Sequence, residues 1–329
     1  MMLRVCSTPG ACVDINGSEQ VSKTAVLTDS ASDIPRELEE KYGIDILPFS
    51  IVVDGQSYTE RVDFTNEQYY EMLTKAEGIP KTSQITMLRF LEKFCAYADE
   101  GYTDVIFVSI NSAGSNTYNA ACMAAESLRD ERPGCTMNVH VVDSHTYSMT
   151  YGWHVCEAAR KLQAGADVKS VVEYLEDQLA RMEIMLSMYT LRFVKKSGRV
   201  SAAAAFAGEL LGLRPIIHMV DDTTSTIAKV RGDSAVMPGL VVQTKKRMAE
   251  GTPYLIGATD DGNAKMLAKM CKKEFGYAPA ATFLLVLGGV DKGEFTEAEA
   301  EATFLLGAAV ATNTGPNAVA IVYQGEKRR

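Results

Sequence analysis

The feature that most constrains this chain is a repeated alternation between short apolar runs and longer segments with apolar residues at helical spacing. Such alternation is typical of α/β architecture. Two continuous apolar runs, 105–110 and 139–142, fit buried strands, and both end in polar turns, where open parallel sheets place their ligands. The predicted strands of the first half are 25–28, 46–53, 105–110 and 139–142, and the predicted helices are 35–42, 67–74, 88–98, 148–163 and 168–182.

The second half combines strands and helices in a different way. Its predicted strands are 184–189, 215–220, 226–231, 254–258, 282–287 and 318–323, and its predicted helices are 201–211, 237–250, 264–274 and 297–311. Residues 221–225 form a turn too short for a crossover helix, so at least one strand pair must be antiparallel. We therefore expect a parallel sheet in the first half and a mixed sheet, flanked by helices, in the second.

The length of 329 residues exceeds what one hydrophobic core usually serves, so we expect two domains. Residues 1–22 lack periodicity and are interpreted as an N-terminal extension. Residues 23–165 form the predicted N-terminal α/β domain, and residues 166–329 the C-terminal α/β domain. The boundary lies in a short link around Gly165, after which Asp167 can cap the next helix.

Composition and charge argue against several classes of function. A net charge of −9 with short, interrupted clusters of cations argues against nucleic acid. The seven cysteines show no CxxC pair and no metal-ligand spacing, which indicates reduced thiols, a cytoplasmic protein and no bound metal. No apolar run approaches the roughly 20 residues of a membrane helix. No glycine-rich phosphate motif is present, and we expect no cofactor.

Two hydroxyl-rich segments are candidates for a binding site. Thr82 and Ser83 precede a helix predicted to start near Ile85, where hydroxyls either cap the helix or join its free amides in holding an anion. Asn111 and Ser112 follow the third predicted strand in a small polar turn, which offers the same groups or is an ordinary turn.

A cation is the third candidate. Arg199 lies in the basic segment 195–199, directly before the predicted helix 201–211. It is either a solvated charge or a ligand for an anion at the start of that helix.

Ser112, Asp143 and His145 are also the residue types of a nucleophilic triad. The serine lacks the Gly-x-Ser-x-Gly elbow, and the acid and the base are so close in sequence that neither need face it. A serine hydrolase is therefore the weakest alternative.

Four separated segments together resemble the DegV family of bacterial fatty-acid-binding proteins. They are KTSQ (81–84), SINSAGSNTY (109–118), SGRVSAAAA (197–205) and TNTGPNA (312–318). The resemblance covers about 24–323, most of the chain. It implies a two-domain, DegV-like α/β fold that holds one long-chain fatty acid between its domains.

The resemblance also implies roles for individual residues. Those that inherit the carboxylate-binding role are Thr82, Ser83, Asn111, Ser112 and Asn313. Arg199 would support phosphate transfer from a separate ATP-dependent fatty acid kinase to the bound carboxylate, so this chain would be the lipid-binding component without activity alone. The implied partners are the fatty acid, the kinase and, transiently, a membrane surface.

One departure from the family pattern leaves an alternative open. Asn313 stands where the family usually has a histidine, and asparagine can donate a hydrogen bond but cannot become cationic. A stand-alone lipid carrier or sensor without a phosphorylation role is therefore the alternative reading.

The acyl chain needs an apolar wall. Burying a chain of about 15 carbons is worth about 12 kcal/mol at roughly 0.8 kcal/mol per methylene, before association costs. The predicted wall lies in 202–213 and in the strand that follows, and its residues include Ala203, Phe206, Leu210, Ile216, Ile217 and Met219. Small alanines in 202–205 either leave room for the chain or pack tightly on the sheet.

Overall fold

The computed structural model describes residues 6–8, 11–13, 19–201, 206, 212–277 and 303–326. The strands in these ranges are β1 Cys6–Thr8, β2 Ala11–Val13, β3 Glu19–Val21, β4 Thr24–Asp29, β5 Ile44–Leu47, β6 Ser50–Val53, β7 Gln56–Thr59, β8 Lys81–Ser83, β9 Asp104–Ser109, β10 Asn138–Asp143, β11 Met182–Met188, β12 Leu213–Val220, β13 Thr223–Arg231, β14 Tyr254–Ala258, β15 Thr303–Leu305 and β16 Ala318–Gln324. The helices are α1 Arg36–Tyr42, α2 Asn66–Lys75, α3 Met87–Asp99, α4 Thr117–Glu131, α5 Met149–Gln163, α6 Val168–Leu179, α7 Arg192–Ser197, α8 Val236–Lys245, α9 Asp261–Phe275 and α10 Ala308–Thr314.

The first large sheet is parallel, as the sequence predicts. Its strand order is β10-β9-β4-β5, and every neighbouring pair is parallel. The residues of β9 from Val105 to Val108 are all fully buried, because helices cover the sheet and both faces of a parallel strand are then inside. The carboxyl ends of β4, β9 and β10 meet at one edge, which is where the polar turns after these strands come together.

The second large sheet is mixed. Its order is β13-β12-β11-β16-β14-β15, with β14 and β15 parallel and the other neighbours antiparallel. The predicted antiparallel pair is β12 with β13, and Asp221 and Asp222 form its turn with φ of 46° and 59°. Two consecutive left-handed residues match the twist of a tight hairpin. The α/β fold class, with a parallel and a mixed sheet, is confirmed.

The two faces of the mixed sheet belong to different hydrophobic cores. Ile184 and Leu186 of β11 pack into the core shared with the parallel sheet, whereas Met185 packs into a core formed with α8 and α9. This division follows from the alternation of side chains along a strand. The first of these faces looks toward the N-terminal half of the chain and therefore bounds the space between the two halves.

A small antiparallel sheet, β7-β6-β8, links the two halves of the chain. Together with α2 it packs against α7 and α10 in a third core that contains Ile51, Tyr69, Phe193 and Ala311. Tyr69 and Thr312 are joined by a hydrogen bond between their hydroxyls, and the Tyr70 hydroxyl donates to the carbonyl of Leu306. The helix α10 is therefore held in place by the N-terminal half.

The N-terminal extension and the domain boundary were predictions from composition and periodicity. Strands β1, β2 and β3 form an antiparallel sheet of their own within the extension. Asp167 caps α6 by accepting a hydrogen bond from the Ser170 amide at 3.0 Å, as expected. The boundary near Gly165 stays a prediction, since α6 packs on both α5 and β10.

Several predicted elements differ from the structure. The predicted strand 46–53 is two strands, since Pro48 interrupts the ladder. Part of the predicted helix 297–311 is wrong, because Thr303–Leu305 is a strand. The predicted strand 282–287 and most of the predicted helix 201–211 lie outside the described residues.

The helix expected near Ile85 begins at Met87 instead, with Thr86 as its N-cap. Thr82 and Ser83 therefore lie in β8, where they pair with Ile51 and Ser50, and neither of them caps a helix. In the part of the chain that the structure describes, no helix is both long enough and apolar enough to cross a membrane.

Candidate functional site

A cavity lies between the carboxyl edge of the parallel sheet, the inner face of the mixed sheet and α10. The residues lining it are Phe49, Thr82, Ile110, Gly114, Ser115, Tyr147, Ser148, Thr150, Ile184, Leu186, Arg199, Val200, Met219, Phe304, Leu306, Ala309, Val310, Asn313, Thr314, Ala320 and Val322.

The apolar wall comes mainly from two paired strands of the mixed sheet. Ile184 and Leu186 of β11 lie opposite Val322 and Ala320 of β16 in the ladder. Met219 of β12 is paired with Ile184 and extends the same wall. The wall is therefore a continuous apolar surface across three strands, produced by the period-two alternation of the sheet.

Hydroxyl groups enter the cavity where α5 begins. Tyr147 and Ser148 precede the helix and Thr150 lies in its first turn, and all three line the cavity. The Ser148 hydroxyl donates to Asp33, whereas the fully buried Thr150 hydroxyl has no hydrogen-bond partner in the ranges that the structure describes. A helix N-terminus also favours negative charge nearby. This part of the cavity is therefore suited to an anionic or hydrogen-bonding group.

Arg199 reaches the same polar part of the cavity. Its Nε donates to the carbonyl of Gly114 at 3.4 Å, and its Nη1 to the carbonyl of Ser197 at 2.5 Å. The Tyr147 ring covers Gly114 so closely that a Cβ built there would lie 2.4 Å from the Tyr147 hydroxyl. A larger residue at this position would therefore displace the Tyr147 ring. We call Gly114, Ser115, Tyr147, Ser148, Thr150 and Arg199 together the polar end of the cavity.

Tyr147 is a hydrogen-bond donor at neutral pH. Burial raises the pKa of its hydroxyl to about 12, with Asp222 adding to the increase and Arg199 opposing it. The phenol therefore stays protonated beside the guanidinium of Arg199. Tyr147 and Thr150 are not among the residues predicted from the sequence, although both come after β10 at the sheet edge where ligands are expected.

The predicted carboxylate-binding residues are only partly brought together. Thr82 and Asn313 line the cavity with Arg199, whereas Ser83 is exposed and is not a lining residue. The serine of the turn after β9 that lines the cavity is Ser115, three residues after Ser112. The Asn313 side-chain amide also donates to the carbonyl of Ala309 at 2.9 Å, which engages part of its donor capacity inside α10.

Asn111 and Ser112 have other contacts. The Asn111 amide donates to the carbonyl of His145 at 3.1 Å, and its oxygen accepts from the Ala113 amide at 2.7 Å. The backbone amide of Ser112 donates to Asp143 at 3.1 Å. Asn111 lines a smaller polar pocket that shares Arg199 and Tyr147 with the cavity. Both residues shape the turn beside the cavity and are not among its lining residues.

The predicted acyl-chain residues lie in several places. Ala203 and Leu210 are outside the described residues, and Phe206 is buried in the core shared by both halves. Ile216 packs on the far face of the mixed sheet with α8 and α9, and Ile217 is fully buried on the near face. Neither isoleucine lines the cavity. Met219 does line the cavity, and the rest of the wall is formed by Ile184, Leu186, Ala320 and Val322.

The geometry does not assemble a nucleophilic triad. The His145 ring is paired with Asp222 at 3.0 Å and lies 3.6 Å from Asp143. Asp143 receives the backbone amides of Ser112 and His145. Within the described ranges, no hydrogen bond joins the Ser112 hydroxyl to the His145 ring, so the base is not positioned to activate the serine.

Three fully buried carboxyl groups lie directly behind the polar end, and we call Asp29, Asp33 and Glu60 the buried acid cluster. Asp29 accepts hydrogen bonds from the Tyr151 hydroxyl at 2.6 Å and from the Ile110 amide at 2.8 Å. Burial nevertheless dominates, and it raises the pKa of Asp29 to about 7.

The other two members of the cluster connect the cavity wall to the N-terminal half. Burial raises the pKa of Asp33 well above its ordinary value and raises that of Glu60 as well. Glu60 accepts the backbone amide of Ala309 at 2.7 Å and the Ser30 hydroxyl. The cluster therefore holds α10 and the start of α5 against the parallel sheet.

The fold and the site define a class of protein, namely an α/β protein with a parallel and a mixed sheet and an apolar cavity lined at one end by hydroxyls and one arginine. The model of the DegV family, described as uncharacterised proteins, matches residues 23–283. The chain therefore belongs to the DegV family. A DegV domain-containing protein of Clostridium perfringens is 31% identical over 252 residues, which is 76% of this chain and 88% of that protein.

Solved structures agree with this assignment. A stearic-acid-binding protein of Eubacterium ventriosum has a TM-score of 0.77 at 22% identity, covering 92% of this chain and 98% of that one. A fatty-acid-binding DegV family protein of Thermus thermophilus has a TM-score of 0.71 at 23% identity, covering 92% and 99%. These similarities establish the DegV fold, and the fatty acids belong to those proteins.

Proposed function

We propose that this protein binds one long-chain fatty acid in the cavity, with the carboxylate at the polar end and the chain along the inner face of the mixed sheet. One observation carries the proposal. Of the lining residues that the structure describes, Arg199 is the one that bears a charge, and its sign is opposite to that of a carboxylate. The fatty acids bound by structural neighbours support the same ligand class.

The chemistry of the cavity matches both parts of such a ligand. A carboxylate taken out of water needs charge-assisted or neutral hydrogen bonds, which Arg199, Tyr147 and Thr150 can donate. Thr82 and Asn313, to which the family resemblance assigns this role, are proposed to contribute as well, and so is Ser115 because it lines the cavity. The acyl chain gains about 0.8 kcal/mol per buried methylene against β11 and β16. The acyl chain supplies most of the affinity, and the polar end of the cavity determines the orientation of the fatty acid.

The experiment that tests the proposal is native mass spectrometry of freshly purified protein, followed by mass spectrometry after denaturation. We expect a non-covalent adduct at a ratio of one to one, released on denaturation, with the mass of a C14 to C18 fatty acid. A protein that is empty and also fails to take up added oleate would refute the assignment.

We further propose that the protein presents the carboxylate to a separate ATP-dependent fatty acid kinase. In support, Arg199 is exposed at the protein surface while it also lines the cavity, so a partner can reach the group that contacts the carboxylate. An acyl phosphate carries more negative charge than a carboxylate, and an arginine can stabilise the increase.

Replacement of Arg199 by glutamine tests this second proposal. With a cognate kinase, ATP and oleate, we expect Arg199→Gln to lower the rate of acyl phosphate formation at least tenfold. The affinity for oleate should fall by a smaller factor. Lys196→Gln is the matched control, because Lys196 is an exposed cation three residues away that is not a lining residue. Equal activity of both variants would rule out a role for Arg199 in the transfer.

The alternative function is a stand-alone lipid carrier or sensor. The engagement of the Asn313 amide by Ala309 favours it, since the group that replaces the usual histidine has less capacity left for a ligand. Oleate binding without any acyl phosphate in the kinase assay would support the carrier. The expected transient contact with a membrane surface and the cytoplasmic location stay predictions.

A further inference from the structure

A second pocket lies where α5 and α6 meet the edge of the mixed sheet. Its lining residues come from α5, α6 and the ends of β11 and β16, with Pro253 before β14. They are Trp153, His154, Tyr174, Gln178, Met182 and Gln324. None of these residues lines the first cavity, which lies between the parallel sheet and the mixed sheet.

One residue that lines the pocket carries a polar atom without a hydrogen-bond partner in the described ranges. His154 is 4% exposed, and its Nδ1 is 3.0 Å from the Tyr174 hydroxyl. Its Nε2 is buried and has no hydrogen-bond partner in the part of the chain that the structure describes. An unpaired buried ring nitrogen costs free energy, which a ligand can recover by hydrogen bonding to it.

The side chains that line the pocket are uncharged at neutral pH. This includes His154, since burial lowers the pKa of its ring to about 4. An ion placed here would lose its hydration, and no lining side chain would offer it a partner of opposite charge. The walls therefore select an uncharged molecule.

The walls are also aromatic. The Trp153 and His154 rings are nearly parallel, with an angle of 7° between their planes and 5.4 Å between centroids. The Tyr174 ring meets His154 edge-on, with 5.9 Å between centroids. On the other side, Gln324 donates its amide to Gln178 at 2.8 Å. Aromatic surfaces favour a flat ring that can stack or meet them edge to face.

We propose that this pocket is a binding site for a small, neutral, planar molecule with one group that both donates and accepts hydrogen bonds, such as the primary amide of an aromatic ring. The amide satisfies Nε2 in either tautomer of His154, since the Tyr174 hydroxyl can donate to Nδ1 or accept from it. The site does not depend on the proposed fatty acid function.

The pocket and the first cavity share two strands of the mixed sheet. Met182 and Gln324 are partners in the ladder between β11 and β16, and Ile184 and Val322 are the next pair on the same face. Ile184 and Val322 line the first cavity, and Met182 and Gln324 line this second pocket. A ligand in the pocket thus contacts the strands that carry the apolar wall.

The single tryptophan of the chain provides a direct measurement. Protein labelled with ¹⁵N-tryptophan gives one indole N–H cross-peak, that of Trp153. We expect benzamide to shift this peak in a saturable way, with a dissociation constant of about 1 mM or below. Benzoate has the same shape but a charge, and cyclohexanecarboxamide has the amide but no flat ring, so each should bind at least tenfold more weakly.

The matched variant is His154→Phe, which keeps a flat ring and removes both ring nitrogens. It should lose the saturable response by at least tenfold, while near-ultraviolet circular dichroism reports whether it is folded. In the wild type, a response that is absent, that does not saturate, or that is equal for benzamide, benzoate and cyclohexanecarboxamide would overturn the proposal. So would an unchanged response in folded His154→Phe.

Discussion

Enlarging Ala320 should shorten the fatty acid that the cavity accepts. Ala320 is 3% exposed, lines the cavity and lies opposite Leu186 in the ladder. Leucine at this position adds three carbons, which displace about three methylenes of a bound chain. At about 0.8 kcal/mol per methylene the loss is about 2.4 kcal/mol, or roughly 50-fold in affinity for the longest chain that fits.

The size of the effect should depend on chain length. We expect Ala320→Leu to weaken a C18 acid roughly 50-fold and a C14 acid by less than about threefold, because the shorter chain can leave the filled volume empty. Ala320→Val adds two carbons and should weaken the C18 acid by about 15-fold. Competition between the two acids, read by native mass spectrometry, measures the ratio directly.

The control is Ile321→Leu, which conserves volume and lies on the opposite face of β16, in the core with α8 and α9. It should leave the C18 to C14 ratio at the wild-type value. If folded Ala320→Leu also kept that ratio, the acyl chain would not lie along β16, and the proposed orientation of the ligand would be wrong.

Three further predictions concern the polar end and the elements behind it. Tyr147→Phe should weaken oleate binding about tenfold with little loss of stability, since it removes one hydrogen-bond donor to a charged group. Calorimetry measures the affinity, and an unaltered value would exclude the contact between the Tyr147 hydroxyl and the carboxylate. The free energy of unfolding should fall by about 4 kcal/mol as pH rises from 4 to 8. The reason is that the buried Asp29 keeps its proton up to a pH of about 7, whereas the same carboxyl group in the unfolded chain ionises near 3.8. Urea titrations across this range measure it, and stability that rises with pH would contradict it. Gly152→Ala should lower stability by about 1–3 kcal/mol in the same assay, since its Cβ would lie 2.3 Å from the Ser32 carbonyl; an unchanged midpoint would show that α5 can shift.

The sequence by itself determined the local structure and the family. Apolar runs and helical spacing predicted most described strands and helices to within a few residues, because these periodicities arise from the backbone geometry of each element. The tight turn at Asp221 and Asp222 and the cap at Asp167 were also predictable, since their chemistry is local.

Only the tertiary structure decided which side chains meet in the cavity. Whether Ser112 or Ser115 faces inward depends on how the turn after β9 packs against Tyr147 and Arg199 from distant parts of the chain. Ile216 and Leu186 are both apolar strand residues, yet they lie on opposite faces of one sheet. Strand register and packing between remote segments decide which way these side chains point, and neither produces a pattern in the sequence that would predict it.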